Sequence, residues 1–367
     1  MVPEINNINE IVSNFRIEGS FSSSSVIGSG HINDSYLITT KPDSAPDYVL
    51  QRINHQIFKD ITGLMKNVLI VTRHIESKIT SGDPAAKGLS ALQLILTNEN
   101  KYYYKDEEGN FWRLYNFLSG AKSYDIVDSP LMAYEGGRAF GLFQYLTADI
   151  PGESLSETIP HFHDIIIRLQ TFRNIVKQNP MNRVKDVFTE IDFVEQRAEE
   201  MQTILRLGES GEIPVRVTHN DTKFNNILFD ENNKAICIVD LDTVMPGYVL
   251  YDFGDAIRTG ANSAAEDEND LSKVNIDLDL FEAYTRGFLS VASRFLNKTE
   301  KEYLAFSAKF MTFIIGLRFL TDHIDGDHYF RINFENHNLQ RARAQFRLLE
   351  SMEANFAIMK EIVRRNG

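Results

Sequence analysis

Three side chains of one short polar loop, His219, Asp221 and Asn226, have the types and spacing that phosphoryl transfer requires. A carboxylate can take the proton of an attacking hydroxyl, and a carboxamide oxygen five residues on can hold magnesium; H-x-D-x-x-x-x-N is the frame in which these two posts occur together. Asp221 and Asn226 fit them. His219 reads as a brace for the loop rather than a proton carrier.

These groups need an element that brings a second metal ligand to them. Asn226 opens the apolar run Ile227-Leu228-Phe229, Asp230 to Asn233 offers turn-forming residues, and Ala235 to Val239 returns as an apolar strand. Such a hairpin carries Asp240 back beside Asn226, giving two oxygen ligands for a hard cation. Asp242 is open between joining a second metal and supporting Asp240. An H-x-D alone would suit any polar loop; the full frame joined to a strand ending in D-x-D is far more specific.

This combination resembles the aminoglycoside phosphotransferase and choline kinase superfamily. The continuation Asp240-Leu-Asp-Thr-Val-Met-Pro-Gly and Tyr251-Asp-Phe-Gly-Asp-Ala-Ile-Arg258 is similar to the N-acetylhexosamine 1-kinases within it. The resemblance spans the chain. It implies an α+β, two-lobed, protein-kinase-like fold, with a small antiparallel-sheet lobe over residues 1–119 and a larger, mostly helical lobe over 120–367. It also implies ATP and magnesium as cofactors and a small-molecule sugar as acceptor. Asp252 and Asp255 follow Asp240 at too long a gap to be a magnesium triplet, so they are assigned to scaffolding, in a turn. Thr243, Arg318 and Tyr329 are carried over as sugar contacts. Choline, homoserine or an aminoglycoside would be alternative acceptors, and an inactive nucleotide-binding regulator a reading from another class.

Composition bounds the rest. A chain of 367 residues, 43% hydrophobic and 24% charged, suits a globular protein of two lobes. Its net charge of -13 disfavours nucleic-acid and anionic-membrane surfaces. The single cysteine, Cys237, excludes an internal disulfide and reads as a buried apolar group. The first residues lack a signal-peptide pattern and no unbroken apolar run spans a bilayer, so a cytoplasmic setting is expected. The oligomeric state is open, a monomer being compatible.

Along the chain, residues 5–15 have helical apolar spacing, and Gly28 and Gly30 punctuate two strand-like segments, a turn that can lie over nucleotide phosphates. Arg52, on the strand over 48–54, stands where kinases carry a phosphate-steadying lysine; arginine keeps that charge in a different geometry. Its acidic partner is expected on the amphipathic helix over 57–79, with Asp60 and Glu76 both open. Strands are expected at 92–96 and 111–117, with a hinge at Ser119-Gly120 facing the adenine edge. Helices follow at 132–146, 160–176, 191–207, 281–295 and 300–321, and a helix or helix pair at 338–365. His161, His163 and Asp164 read as a polar helix start with a minor part at the sugar rim open to them, and the acidic stretch 266–279 as a solvated insertion that permits a lid.

Overall fold

The structure, a computed structural model, describes residues 7–28 and 33–367. Gly30 and the first residues of the expected opening helix lie outside the described residues. The chain forms two compact units. The first contains residues 1–122, 153–159 and 228–245, and the second residues 123–152, 160–227 and 246–367.

The first unit is built on a five-stranded antiparallel sheet. Its strands are β1 (Ser20–Val26), β2 (Asp34–Lys41), β3 (Tyr48–Ile53), β4 (Tyr104–Lys105) and β5 (Phe111–Asn116), in the order β1-β2-β3-β5-β4. Strand residues alternate between faces. Tyr36, Ile38, Tyr48, Leu50, Trp112 and Leu114 fill one face and pack against Ile8, Ile11 and Val12 of the short helix α1 (Ile8–Val12) and against Phe15. Each large side chain so buried contributes about 1.5–3 kcal/mol. Arg52 shares that parity, facing Asp34 and Trp112 in register; Gln51 and Arg113, paired with each other across the strands, point to the opposite face.

Helix α2 (Ile61–Thr80) is capped by Asp60, which accepts from Gly63 N–H at 2.9 Å. It buries Leu64, Met65, Val68 and Val71, the stripe its 3.6-residue period predicts. The segment 92–96 is not a strand: it meets β5 in a single antiparallel bridge, Leu94 to Tyr115, with Ile95 N–H donating to Leu114 C=O at 2.8 Å and Asn116 N–H to Gln93 C=O at 3.1 Å.

The first unit also takes in residues 228–245, which a single cut at 119/120 would leave in the other lobe. The hairpin of β7 (Ile227–Phe229) and β8 (Ala235–Ile238) explains why. Lys122 and Phe229 exchange both backbone hydrogen bonds, at 2.9 and 2.8 Å, and Ser90 N–H donates to Ile236 C=O at 2.8 Å. Asn67 of α2 donates to Val244 C=O at 2.9 Å.

The second unit is mostly helical. Its helices are α3 (Pro130–Thr147), α4 (Ile165–Gln178), α5 (Phe188–Arg197), α6 (Thr203–Glu209), α7 (Val249–Gly260), α8 (Leu278–Ala292), α9 (Lys298–Glu302), α10 (Leu304–Asp325), α11 (His337–Ala354) and α12 (Phe356–Asn366). The strand β6 (Arg216–Thr218) leads into the Asp221 loop, beside the last residues of β9 (Met245–Gly247).

Helix α10 packs against α4, α7 and α11, and of its 22 residues only Thr321 and Asp325 escape burial. Among the described residues it alone is long and apolar enough to cross a membrane, yet 83% of that window is buried inside the protein. With Lys309 and Arg318 within it, α10 is a core helix. Helices α3 and α8 meet backbone to backbone: a Cβ on Gly137 would sit 2.1 Å from Tyr284 O, and one on Gly287 2.0 Å from Tyr134 O.

Two expectations for this unit are corrected. The helix expected over 191–207 divides into α5 and α6 around a turn at Glu200–Gln202, whose Glu200 receives Lys309 Nζ at 2.8 Å. Asp252 and Asp255 lie within α7 rather than in a turn.

Candidate active site

The Asp221 loop gains its shape from α7. Asp252 and Asp255, three residues apart, project from one face of the helix. Asp252 accepts His219 N–H at 2.8 Å and Asn220 N–H at 2.7 Å, and also the Gln144 amide; Asp255 accepts Thr222 N–H at 3.1 Å. Thr222 Oγ1 donates to Asp252 C=O at 2.7 Å. Three loop residues, His219, Asn220 and Thr222, are thereby held by two helical carboxylates, the scaffolding role expected of them. Arg258 returns to Asp255 at 2.9 Å and reaches Glu266 at 2.6 Å. Asn220 stands at φ 63°, a left-handed conformation that asparagine tolerates better than most residues.

Helix α3 backs the same loop. Phe140 and Phe143 meet the His219 ring edge-on at 5.6 Å, and Gly136 leaves room for Phe224, whose Cζ would lie 2.1 Å from a Cβ there. His219 is wholly buried and, through Nδ1, accepts Asp221 N–H at 3.3 Å. It braces the loop.

Asp221 is more exposed than its supports, at 22% of its side chain, and Lys223 Nζ stands 2.9 Å from Oδ1. Asn226 Nδ2 donates to Asp221 C=O at 2.8 Å and to Oδ2 at 3.2 Å. Burial alone would raise the Asp221 carboxyl. The Lys223 ammonium, His219 and the Asn226 amide outweigh it and hold the group below its ordinary value. Asp221 is therefore an ionised acceptor whose oxygens are already oriented. Lys223 received no role from the sequence; a cation two residues after Asp221 was the available signal.

The Asn226 amide nitrogen is committed to Asp221, and its other polar atom is a carboxamide oxygen, a donor type that fits a hard cation. Asp240 stands at the end of the β7–β8 hairpin in the first unit, at φ 60°, ψ 57°, followed by a tight turn over Leu241–Thr243. Among the described residues no three His, Cys, Asp or Glu side chains gather as a metal cage. A carboxamide oxygen and a carboxylate are each donor types that suit magnesium, which retains waters and substrate oxygens in preference to an all-protein shell. Thr243 is buried in the turn after Asp240.

On the sheet, Gly28 adopts φ 74°, the left-handed backbone for which glycine is suited. Arg52 forms its ion pair with Asp34 of β2, not with α2; Asp60 is spent as a cap and Glu76 on Gln93. The second arginine of the sheet, Arg113, is fully buried and ion-paired with Asp242. Nothing in its local sequence distinguished it from an ordinary strand residue.

Arg318 and Tyr329, distant from the loop in sequence, come together in the second unit. Arg318 Nη2 donates to Tyr329 Oη at 3.2 Å, and the guanidinium lies 4.9 to 5.3 Å from the rings of Phe162, Tyr329 and Phe330. They line a cavity of about 160 Å³ together with Arg168, Thr321, Asp322 and Asp325. Asp322 is occupied: it accepts the N–H groups of His328, Tyr329 and Phe330 at 2.8–2.9 Å and the Asn338 amide. Burial and the Arg318 charge push the Arg168 guanidinium down to about 10.

His163 is buried beside this cavity, 4.4 Å from the Phe162 ring and 5.0 Å from Tyr251, with neither ring nitrogen hydrogen-bonded. Burial and the nearby Arg318, Arg168 and Arg258 hold it well below its ordinary value, so it is neutral. Asp164 caps α4, as a polar helix start should. The stretch 266–279 is anchored rather than loose: Glu266 binds Arg258, Asp267 meets the buried His337 at 3.0 Å, and Val274 and Ile276 are buried.

Solved structures share this fold at low identity. An aminoglycoside phosphotransferase from Alicyclobacillus acidocaldarius superposes with a TM-score of 0.65 at 13% identity, covering 100% of this chain and 98% of its own. An amicoumacin kinase in complex with AMP-PNP, Ca2+ and Ami gives 0.62 at 11% identity, covering 94% and 93%. A Plasmodium vivax ethanolamine kinase gives 0.54 at 12%, covering 88% and 82%. At such identities the likeness concerns the fold, an α+β kinase-like architecture. A sequence profile of the phosphotransferase enzyme family (APH) matches residues 24–286, which include all of the sheet but the start of β1, the Asp221 loop, the Asp240 hairpin and α7. The chain belongs to the phosphotransferase enzyme family.

Proposed function

We propose that the protein transfers the γ-phosphoryl group of ATP to the anomeric hydroxyl of an N-acetylhexosamine, GlcNAc or GalNAc, giving the sugar 1-phosphate. The observation that carries this choice of acceptor is the Arg318 cavity. It offers guanidinium and phenol hydrogen-bonding groups beside flat apolar rings, the mixture that grips a neutral polyol with an acetamido group. A cationic acceptor would meet Arg168 and Arg318, while Asp322 is already committed to backbone amides and only Asp325 is left at the wall. The cavity also belongs to the same unit as the base loop, and the Arg318 charge feels Asp255, which holds Thr222.

In this reading Asp221, kept ionised by Lys223, orients the anomeric hydroxyl and accepts its proton on a carboxylate oxygen. Asn226 and Asp240 hold magnesium, Gly28, Gly30 and Arg52 attend the phosphates, and Thr243, Arg318 and Tyr329 hold the sugar. Bound magnesium-ATP supplies the phosphoryl group and neutralises charge between its β- and γ-phosphates. Support for that cofactor comes from the Asn226 carboxamide oxygen, a donor type that fits a hard cation, and from the amicoumacin kinase solved with AMP-PNP and Ca2+.

The test is incubation with magnesium-ATP and GlcNAc, GalNAc, choline, homoserine or kanamycin in turn, with products identified by mass and phosphorus NMR. A hexosamine 1-phosphate is the expected product. Phosphorylation of choline, homoserine or kanamycin instead would retain phosphoryl transfer and overturn the acceptor. Binding of magnesium-ATP without any product would favour a nucleotide-binding regulator.

A further inference from the structure

Arg113 lies in β5 with its guanidinium wholly out of solvent, and its partners are specific. It is ion-paired with Asp242, whose side chain is 3% exposed, and donates to Gln51 Oε1 from Nε at 3.0 Å and Nη2 at 2.8 Å. The second Asp242 oxygen accepts the Asn33 amide, and Gln51 Nε2 reaches Ser35 Oγ at 3.0 Å. One polar chain thus joins β2, β3, β5, the residue ahead of β2 and the loop after β8.

A buried ion pair is a poor stabiliser, because removing two charges from water carries a desolvation cost that an apolar pair of similar volume would not incur. The conformation of Asp240 suggests what this pair does instead. Two residues before Asp242, Asp240 is held in the left-handed region, a conformation uncommon for a residue with a side chain, which persists when its surroundings over-determine it. The tight turn over Leu241–Thr243 connects the two aspartates, so fixing Asp242 fixes the backbone that aims Asp240. Strand β3 at this level carries Gln51, uncharged, and Arg52 faces away from it toward Asp34.

We propose that Arg113 is a positioning residue of the nucleotide-metal site: by clamping Asp242 it sets the turn that presents Asp240 to magnesium. The inference rests on the reading of Asp240 as the magnesium ligand. It also gives Asp242 a post, as the carboxylate arm of the clamp.

Calorimetric titration of AMP-PNP with and without magnesium into the full chain tests it, alongside thermal unfolding. The variants are Asp240→Asn, Arg113→Lys and the double Arg113→Met/Asp242→Met. Arg113→Met alone would strand a buried carboxylate and is expected to unfold; the double replacement removes both charges and is expected to melt at or above the wild-type temperature. The magnesium-AMP-PNP Kd should rise roughly 10- to 100-fold in the folded double variant, the range for losing a group that orients a metal ligand, with metal-free AMP-PNP binding within about twofold of wild type. Arg113→Lys keeps Asp242 and the charge but loses the two-pronged grip, so a weakened Kd there assigns the effect to the clamp and not to lost ligation by Asp242. Wild-type magnesium-AMP-PNP affinity in Arg113→Lys, or in the folded double variant, would overturn the proposal. An unchanged Kd in Asp240→Asn would instead remove the metal reading on which it stands.

Discussion

Replacing Lys223 with methionine should move the acid limb of the pH-rate profile upward. The Lys223 ammonium lies 2.9 Å from Asp221 Oδ1. At that distance the attraction between unit charges is about 6 kcal/mol at an effective dielectric of 20 and about 1.4 kcal/mol in bulk water. The lysine side chain is 40% exposed and the aspartate 22%, so screening places the interaction toward the lower figure, about 1.5–3 kcal/mol. At about 1.4 kcal/mol per pK unit, the carboxyl should titrate about 1–2 units higher in the variant. The Asn226 amide stays in place and limits the rise. The assay is kcat/KM for magnesium-ATP from about pH 3 to 9, with wild type and variant in one buffer series so that titration of the nucleotide cancels. The sign is fixed: Lys223 favours the ionised acceptor, so the variant loses activity first at the acid end. An acid limb that stays in place or moves downward would refute this electrostatic account of the base.

Asp221→Asn should lower kcat by roughly 10² or more, because a positioned proton acceptor is lost, with little change in magnesium-ATP affinity by calorimetry; near-normal turnover would remove Asp221 from its role. Gly136→Ala should displace Phe224, since the new methyl would fall 2.1 Å from its ring, and overpacking of this kind costs about 1–3 kcal/mol; denaturant unfolding showing equal or greater stability would contradict the packing. His163→Phe should flatten part of the pH dependence of stability. Its folded pKa is depressed, so the stability contributed by the neutral imidazole is present above the unfolded value near 6.5 and is lost as pH falls, by about 1.4 kcal/mol at pH 5.5. Parallel stability curves for variant and wild type between pH 7.5 and 5.5 would show that the histidine does not stay neutral. Asp255→Ala should release Thr222 N–H and leave Arg258 with Glu266 alone, and hydrogen exchange at the Thr222 amide should quicken at least tenfold, the equivalent of about 1.4 kcal/mol; unchanged exchange would mean that the helix does not hold the loop.

The sequence by itself determined the parts whose chemistry is written in neighbouring residues. The spacing of Asp221 and Asn226, the strand-turn-strand that follows and the aspartate at its end all lie within one short stretch, and local turn and strand preferences shape that stretch wherever it folds. Helix α2, with its clear apolar stripe, was legible for the same reason. What the tertiary structure decided concerns partners far apart in the chain. Arg52 found Asp34 on the next strand instead of a helical carboxylate; Asp252 and Asp255 turned out to be helical, one turn apart, which is what lets them hold three loop residues. Arg113 and Asp242 are separated by more than a hundred positions, and only the parity of β5 against β3 puts the arginine on the face where that carboxylate waits. A linear pattern reveals that a charged strand residue exists; which face it takes, and whether burial obliges it to find a partner, follows from sheet register and packing.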